Sequence, residues 1–362
     1  MKNKNILLHL SLIKGIGAKC ISLLTKNYSK IDNFYYFKKN DFLELGFSEE
    51  KSLLLHTGLS NKKILDDELK NIEHNQILWT TPIDAHFPKN LLSLDPIPSI
   101  FYIKANNYIP WNNYIWLSIV SSRKTNTYGQ KAINEIISNL QNYPIGIISG
   151  GAIGGDTFVH ENAIKYNLIT VSILGCGLNT VYPVQNKKLF SSIVESGGAL
   201  ASHFSMSQIA TKYTFPIRNA IIASLSDSLI VIQAGEKSGT LITAQYALEF
   251  GKSIGTIPGS IFDILSYGSH QLIKSGAECI SSIEDIFTLL QIQIKKTTTH
   301  KDPIKKEISL EDNILASCEI PKHISELTSL YNIRLDIMQE VLYNLMIDNK
   351  ITQDTLGNWI KK

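Results

Sequence analysis

The sequence predicts an α/β protein: a mostly parallel sheet covered by helices, a helical domain before it and a small winged-helix-like module after it. Three observations carry this. Five apolar stretches, YIWLSIV, IGIISG, LITVSILG, SLIVIQAG and SIGTIPG, lie between residues 114 and 259, with helical segments between several of them. Continuous apolar strands alternating with helices belong to parallel sheets buried on both faces. Glycine-rich turns fall where these strands end, which is where such sheets bind ligands.

Composition sets the frame. The 362 residues are 44% hydrophobic and 19% charged, enough for a sizeable core in two or three domains. Net charge is only +3 and arginine occurs just at Arg123, Arg218 and Arg334, so a basic surface has to be local. Cys20, Cys176, Cys279 and Cys318 form no CxxC pair, which argues against a disulfide scaffold or a structural zinc site. No apolar run of about 18 residues occurs and the N-terminus shows no signal core with a cleavage site; the expectation is a reducing, cytoplasmic compartment and no membrane partner.

In chain order, residues 1–75 read as a helical domain. LSLIKGIGAKCISLLTKNY places Gly15-Ile16-Gly17 between two apolar helical stretches, which suits either a SAM- or helix-hairpin-helix-like phosphate contact or a glycine-shaped turn between packed helices. Residues 76–290 form the sheet domain. Its entry, 77–110, is extended and proline-rich, with His86 expected in a turn or at the surface. Helices are predicted over Tyr128–Leu140, Asp156–Tyr166 and Leu241–Phe250. The polar, threonine-rich stretch 291–306 reads as a linker. Residues 307–362 hold three short helical patterns and then KITQDTLGNWI, a wing-like hairpin; nine acids against five bases there favour a protein contact or packing over a grip on DNA.

Four strand-end motifs in the sheet domain suit an oxyanion. SIVSSRKTNTYG sets Ser121, Ser122 and Arg123 after a buried strand and before a helix N-terminus. In SGGAIGGDTFVH, Ser149 leaves a strand, Gly150, Gly151 and Gly154 permit close backbone approach, and Asp156 suits an N-cap. The glycine spacing fits neither a dinucleotide fingerprint nor a Walker loop with its lysine. YTFPIRNAIIASLSD brings Arg218, a planar fork suited to phosphate, and Asn219. IQAGEKSGTLITA rings a helix start with Ser238, Gly239, Thr240 and Thr243, beside Lys237. Residues 112–290 carry eleven bases and eleven acids, yet both arginines of this stretch sit in these motifs and Lys187 and Lys188 follow another strand-end loop. A narrow basic groove on a neutral body fits a single nucleic-acid strand better than a duplex. Tyr182, Phe215 and Tyr267 could stack on bases or serve packing.

These motifs resemble the DNA-processing protein A (DprA/Smf) family. The pattern G-S-R-x-x-S-x-Y-G is met as SSRKTNTYG, S-G-x-A-x-G-I-D-x-x-x-H as SGGAIGGDTFVH through His160, F-P-x-R-N-R as FPIRNA, and S-G-[ST]-L-[IL]-T-A intact at Ser238–Ala244; YGSHQLIKSGA resembles the closing G-x-N-x-L-I-x-x-G-A. The resemblance implies an extended Rossmann-like protein that binds single-stranded DNA, dimerises through this domain, helps load the RecA-type recombinase on incoming strands in natural transformation, and is not a nucleotide-dependent enzyme. No cofactor or metal is expected. Departures are Ser121 for glycine, Ile153 for a frequent arginine, Gly155 for isoleucine, Ala220 for the second arginine, His203 for a frequent glutamate and His270 for asparagine. The loss of two basic positions implies a weaker grip. Two other readings are a nucleotide or nucleoside-phosphate hydrolase of the lysine-decarboxylase-like Rossmann group, with Glu236 as acid-base residue, and a pure protein scaffold.

Overall fold

Five helices come first: α1 (Lys2–Leu12), α2 (Ala18–Asn27), α3 (Lys39–Glu44), α4 (Glu49–Ser60) and α5 (Lys62–His74). The structure, a computed structural model, describes residues 2–27, 31–292, 310–331, 333–355 and 357–361. It divides into two units, Met1–Gln293 and Ile294–Lys362. Between α1 and α2, Gly15 takes a left-handed φ of +91° and Ile16 is buried in the helical core. That core is continuous with the sheet: Leu8, Leu24, Phe34 and Leu55 share one cluster with Tyr102, Leu174 and Phe190. Buried Glu68 of α5 fastens the join, accepting from the Tyr102 hydroxyl at 2.8 Å and from the Met206 amide at 2.9 Å.

The sheet follows with β1 (Leu78–Thr80), β2 (Phe101–Lys104), β3 (Ile115–Val120), α6 (Thr127–Leu140), β4 (Ile145–Ser149), α7 (Gly155–Lys165), β5 (Thr170–Ile173), α8 (Lys187–Glu195), β6 (Ala199–Ser202), α9 (Thr214–Leu225), β7 (Ser228–Val231), α10 (Gly239–Glu249), β8 (Ser253–Thr256), α11 (Tyr267–Lys274), β9 (Glu278–Cys279) and α12 (Ile283–Leu289). The strand order is β1-β2-β6-β5-β4-β3-β7-β8-β9. β1 and β2 run antiparallel at one edge; from β6 to β9 every pairing is parallel. The chain therefore winds outward from β3 through β6 on one side, crosses back, and winds outward from β7 on the other. That reversal leaves a crevice beyond the C-terminal ends of β3 and β7.

Alternation along the strands splits the core into two layers. Leu117, Ile119, Ile147 and Ile230 pack with Ile133 and Ile136 of α6, Val159 of α7 and Ile286 of α12. Trp116, Ile148, Val171 and Val231 pack with Ile221 and Ile222 of α9 and Ala244 and Ala247 of α10. Each buried Val, Leu or Ile of these layers is worth about 1.5–3 kcal/mol over leaving it in water. Asn126 caps α6 by accepting from the Gly129 amide, and Ser238 caps α10 by accepting from Thr240.

All five predicted strands form. β6 carries no such signal, because Ala199, Ala201 and Ser202 are too small to mark a strand and are held by burial between β2 and β5. Predicted helix boundaries move slightly: α7 starts at Gly155, with Gly154 as N-cap, so Asp156 is not the cap but a first-turn residue whose carboxylate accepts from the Ala152 amide at 3.2 Å. His86 is exposed and stacks on Tyr108 with ring centres 4.2 Å apart.

The second unit contains α13 (Leu310–Ser317), α14 (Ile324–Tyr331), α15 (Leu335–Ile347) and the antiparallel pair β10 (Ile351–Gln353) and β11 (Trp359–Lys361). Ile314, Leu327, Met338, Leu342, Ile351 and Trp359 form its core. The predicted linker at 291–306 lies outside the described residues apart from 291 and 292. Among the described residues no helix is long and apolar enough to cross a membrane, and no group of three or more His, Cys, Asp or Glu side chains is placed to hold a metal.

His160 of α7 is fully buried, with Nδ1 2.8 Å from the Thr170 hydroxyl. Burial, and then the Arg218 charge, push its pKa down to about 3. Between about pH 6.5 and 3 the unfolded chain binds a proton at this side chain that the folded chain refuses, so stability falls as pH falls through that window, by up to about 1.4 kcal/mol per pH unit. Urea unfolding at pH 7 and pH 5 is expected to show this loss for the wild type and a smaller one for His160→Gln. An equal loss in both would refute the assignment.

Candidate nucleic-acid interface

The crevice at the reversal is a cleft of about 450 Å³. Its walls come from the turn after β3 (Ser121, Ser122, Arg123, Lys124), from α9 (Phe215, Arg218, Asn219) and from the start of α10 (Lys237, Ser238, Gly239, Thr240, Thr243). A smaller neighbouring cleft continues it along Gly150, Gly151, Ala152 and Ile153 to Gly175 and Tyr182, with Arg123, Phe215 and Arg218 shared by both. Three strand-end motifs therefore line the main cleft, and the glycine loop reaches it through Ala152 and Asp156.

The two arginines behave differently. Arg123 is exposed, its guanidinium 5.6 Å from the ring centre of Phe215. Arg218 is buried: Nη1 donates to the carbonyls of Gly150 and Ile173, the latter at 2.7 Å, and Nε donates to Asn219 Oδ1 at 3.1 Å. Its guanidinium lies 5.7 Å from the same Phe215 ring. Arg218 therefore ties the ends of β4 and β5 together beneath the cleft, where the sequence reading gave it a direct hold on phosphate. Buried Asp156 is its counter-charge: burial pushes the carboxyl pKa up, against the Arg218 charge and the Ala152 amide, which pull it down. Tyr182 packs 5.7 Å from Phe215 on the outer side and is partly exposed.

Some predicted contacts are spent inside the protein. Ser149 is fully buried, and its hydroxyl donates to the Ile119 carbonyl at 2.7 Å, so it serves the sheet and not the cleft. The Gly155 amide donates to the Ser122 carbonyl at 3.1 Å. Gly154 has a left-handed φ of +87°, and a Cβ there would come within 2.2 Å of the Arg123 carbonyl; it lets the glycine loop close on the Ser122-Arg123 turn. Lys187 and Lys188 are exposed at the start of α8 and line neither cleft, though Asn186 just before them donates to the Gly151 carbonyl at 3.0 Å. Asn219 donates to the Gly239 carbonyl at 3.2 Å and joins α9 to the start of α10. Glu236 is exposed and lines neither cleft.

Sequence reasoning missed one bridge. Gln233, just past β7, gives its carbonyl to the Ser122 amide at 2.8 Å, and its side-chain amide pairs with Asn126 at 3.1 and 2.9 Å. The signal in the sequence is polar Gln233 directly after the buried apolar run Leu229–Ile232. A second finding joins two departures from the family pattern. A Cβ on Gly155 would fall 2.2 Å from Ser121 Cβ and 2.8 Å from both Ser121 Oγ and Thr125 Oγ1. The side-chain atoms of Ser121 occupy space that a larger residue at 155 would need.

Gly155→Ala is accordingly expected to destabilise the protein by about 1–3 kcal/mol through overpacking, and Ser121→Gly in the same chain to recover part of that loss, since the approach to Thr125 Oγ1 remains, as thermal melts would show; additive losses would contradict the coupling. Arg218→Met leaves two buried carbonyls and Asp156 uncompensated and should cost roughly 3 kcal/mol or more, whereas exposed Arg123→Ala should leave the unfolding midpoint in urea within measurement error. Equal destabilisation by both would overturn the division of labour.

Comparison with known proteins agrees with this architecture. The family model for DNA recombination-mediator protein A matches residues 78–291. Protein Smf of Escherichia coli is 35% identical over 250 residues, 66% of this chain and 66% of that protein's length. DNA processing protein DprA of Streptococcus pneumoniae is 31% identical over 256 residues, 67% of this chain and 89% of the relative. The X-ray structure of the Streptococcus pneumoniae protein superposes with a TM-score of 0.69 at 26% identity, covering 80% of this chain and 98% of that one. A structure of DNA processing protein A from Helicobacter pylori, described for its single-stranded DNA binding mode, gives a TM-score of 0.54 at 26% identity, covering 60% of this chain and 97% of the other. The chain belongs to the DNA recombination-mediator protein A family.

Proposed function

We propose that this protein is a single-stranded DNA-binding recombination mediator that holds a strand in the cleft at the sheet reversal. The observation that carries the reading is the pairing of exposed Arg123 with the half-buried ring of Phe215, beside exposed Lys124 and Lys237, at the rim of a cleft that ends on the capped start of α10. Phosphate is met by exposed cations and a helix N-terminus, and a base by an aromatic ring. The cations at the cleft are few, which suits a flexible single strand over a stiff duplex. Within this reading the main sheet is an extended Rossmann-like fold and the second unit a winged-helix-like module. The partners are single-stranded DNA, a RecA-type recombinase that takes over the strand, and a second copy of the chain. The role needs no chemical step and no cofactor.

Ser122, Gly150, Gly151, Ser238, Gly239, Thr240 and Thr243 are the polar wall around the strand in this account, with Arg218, Asn219, Gly154 and Ser149 holding that wall in shape. Lys187 and Lys188 extend the positive field beyond it. A labelled oligonucleotide titrated at moderate salt should bind in single-stranded form well ahead of the duplex. Arg123→Ala with Lys237→Ala should weaken single-strand binding by about tenfold or more and flatten its salt dependence by one to two phosphate contacts. Unchanged affinity and slope would sink the cleft assignment.

A further inference from the structure

Beside the cleft the loop from β8 to α11 presents Ile261, Phe262 and Ile264 to solvent, at 81%, 90% and 81% exposure. Three large apolar side chains this bare within four residues are unusual on a protein surface and mark a contact surface. The loop that carries them is held tightly. Asp263 accepts from Asn126 Nδ2 at 3.0 Å and from the Leu265 amide at 2.9 Å. The Tyr128 hydroxyl donates to the Pro258 carbonyl at 2.6 Å, and His270 Nε2 donates to the Gly259 carbonyl at 3.0 Å. The Ala234 amide donates to the Leu265 carbonyl at 2.8 Å. Asn126 is the same residue that Gln233 holds against the turn carrying Arg123. The exposed tip is thus fixed in register with the cleft, and its base forms part of the cleft wall through Leu265.

We propose that Ile261, Phe262 and Ile264 form an apolar lip that receives the bases of a single strand as its backbone leaves the cleft; this rests on the reading of the cleft as a single-strand site. A chain that gives phosphates to Arg123 and Lys237 must put its flat apolar faces elsewhere, and the lip lies next to Gly235, on the Lys237 side of the cleft. A duplex keeps those faces stacked inside and gains nothing from the lip. The lip therefore adds to the preference for single strands. Asn126 and Asp263 are its positioning residues.

The test uses the full chain and fluorescence anisotropy with two labelled probes of equal length, an oligothymidylate and an abasic strand. Ile261→Ser/Phe262→Ser/Ile264→Ser should lose about tenfold for oligothymidylate, the scale of one base-stacking contact, and less than about twofold for the abasic strand. Should the triple variant melt early, Phe262→Ala alone should still lose about threefold on the base-bearing probe only. Equal losses on both probes, or no loss on either, would overturn the lip and leave the cleft reading standing. No loss on either probe with a drop in sedimentation mass would also overturn it and give the patch to a second copy of the chain. Failure of the wild type to bind either probe would remove the single-strand reading itself, and the lip with it.

Discussion

The cleft depends on a cation that cannot reach solvent freely. Arg218 is buried under the glycine loop and takes two backbone carbonyls, one after β4 and one at the end of β5. Parallel strands leave carbonyls at their C-terminal ends with no partner in the next turn, and a buried carbonyl without a donor is costly. A planar guanidinium meets two of them at once, which a lysine ammonium does less well. Asp156 balances the charge, and the ring of Phe215 lies over the guanidinium. Everything facing the cleft, the glycine loop on one side and α9 on the other, is referenced to this point.

This arrangement divides labour between two residues that look alike in sequence. Arg123 and Arg218 approach the same aromatic ring, one exposed and one buried. The buried guanidinium fixes the ring; the exposed one remains available to a phosphate. Under the proposed function, ring and exposed cation give one face to a base and one to its backbone. Ile153 offers apolar surface at the neighbouring cleft where the family resemblance leads one to expect a further cation, so under the proposed function Arg123 and Lys237 would carry more of the affinity.

Much of this was legible in the sequence. The parallel strands announced themselves through continuous apolar runs, and the strand-end glycines and hydroxyls pointed to the cleft because their chemistry is local. What could not be read was direction. Ser149 and Ser122 are both serines at strand ends, yet one hydroxyl turns into the sheet and the other residue lines the cleft. The role of Arg218 depends on carbonyls 45 and 68 residues away. β6 is built of small residues and exists because its neighbours bury it. The tie between Ser121 and Gly155 is also invisible along the chain, since the two positions meet only in space.

The most direct measurement is photo-crosslinking of a single strand carrying halogenated deoxyuridine, with the attached residues mapped by mass spectrometry. Adducts are expected on Phe215, at the shared wall of the two clefts, and on Tyr182 of the smaller one. Adducts confined to residues 310–361, with none in the sheet unit, would contradict it.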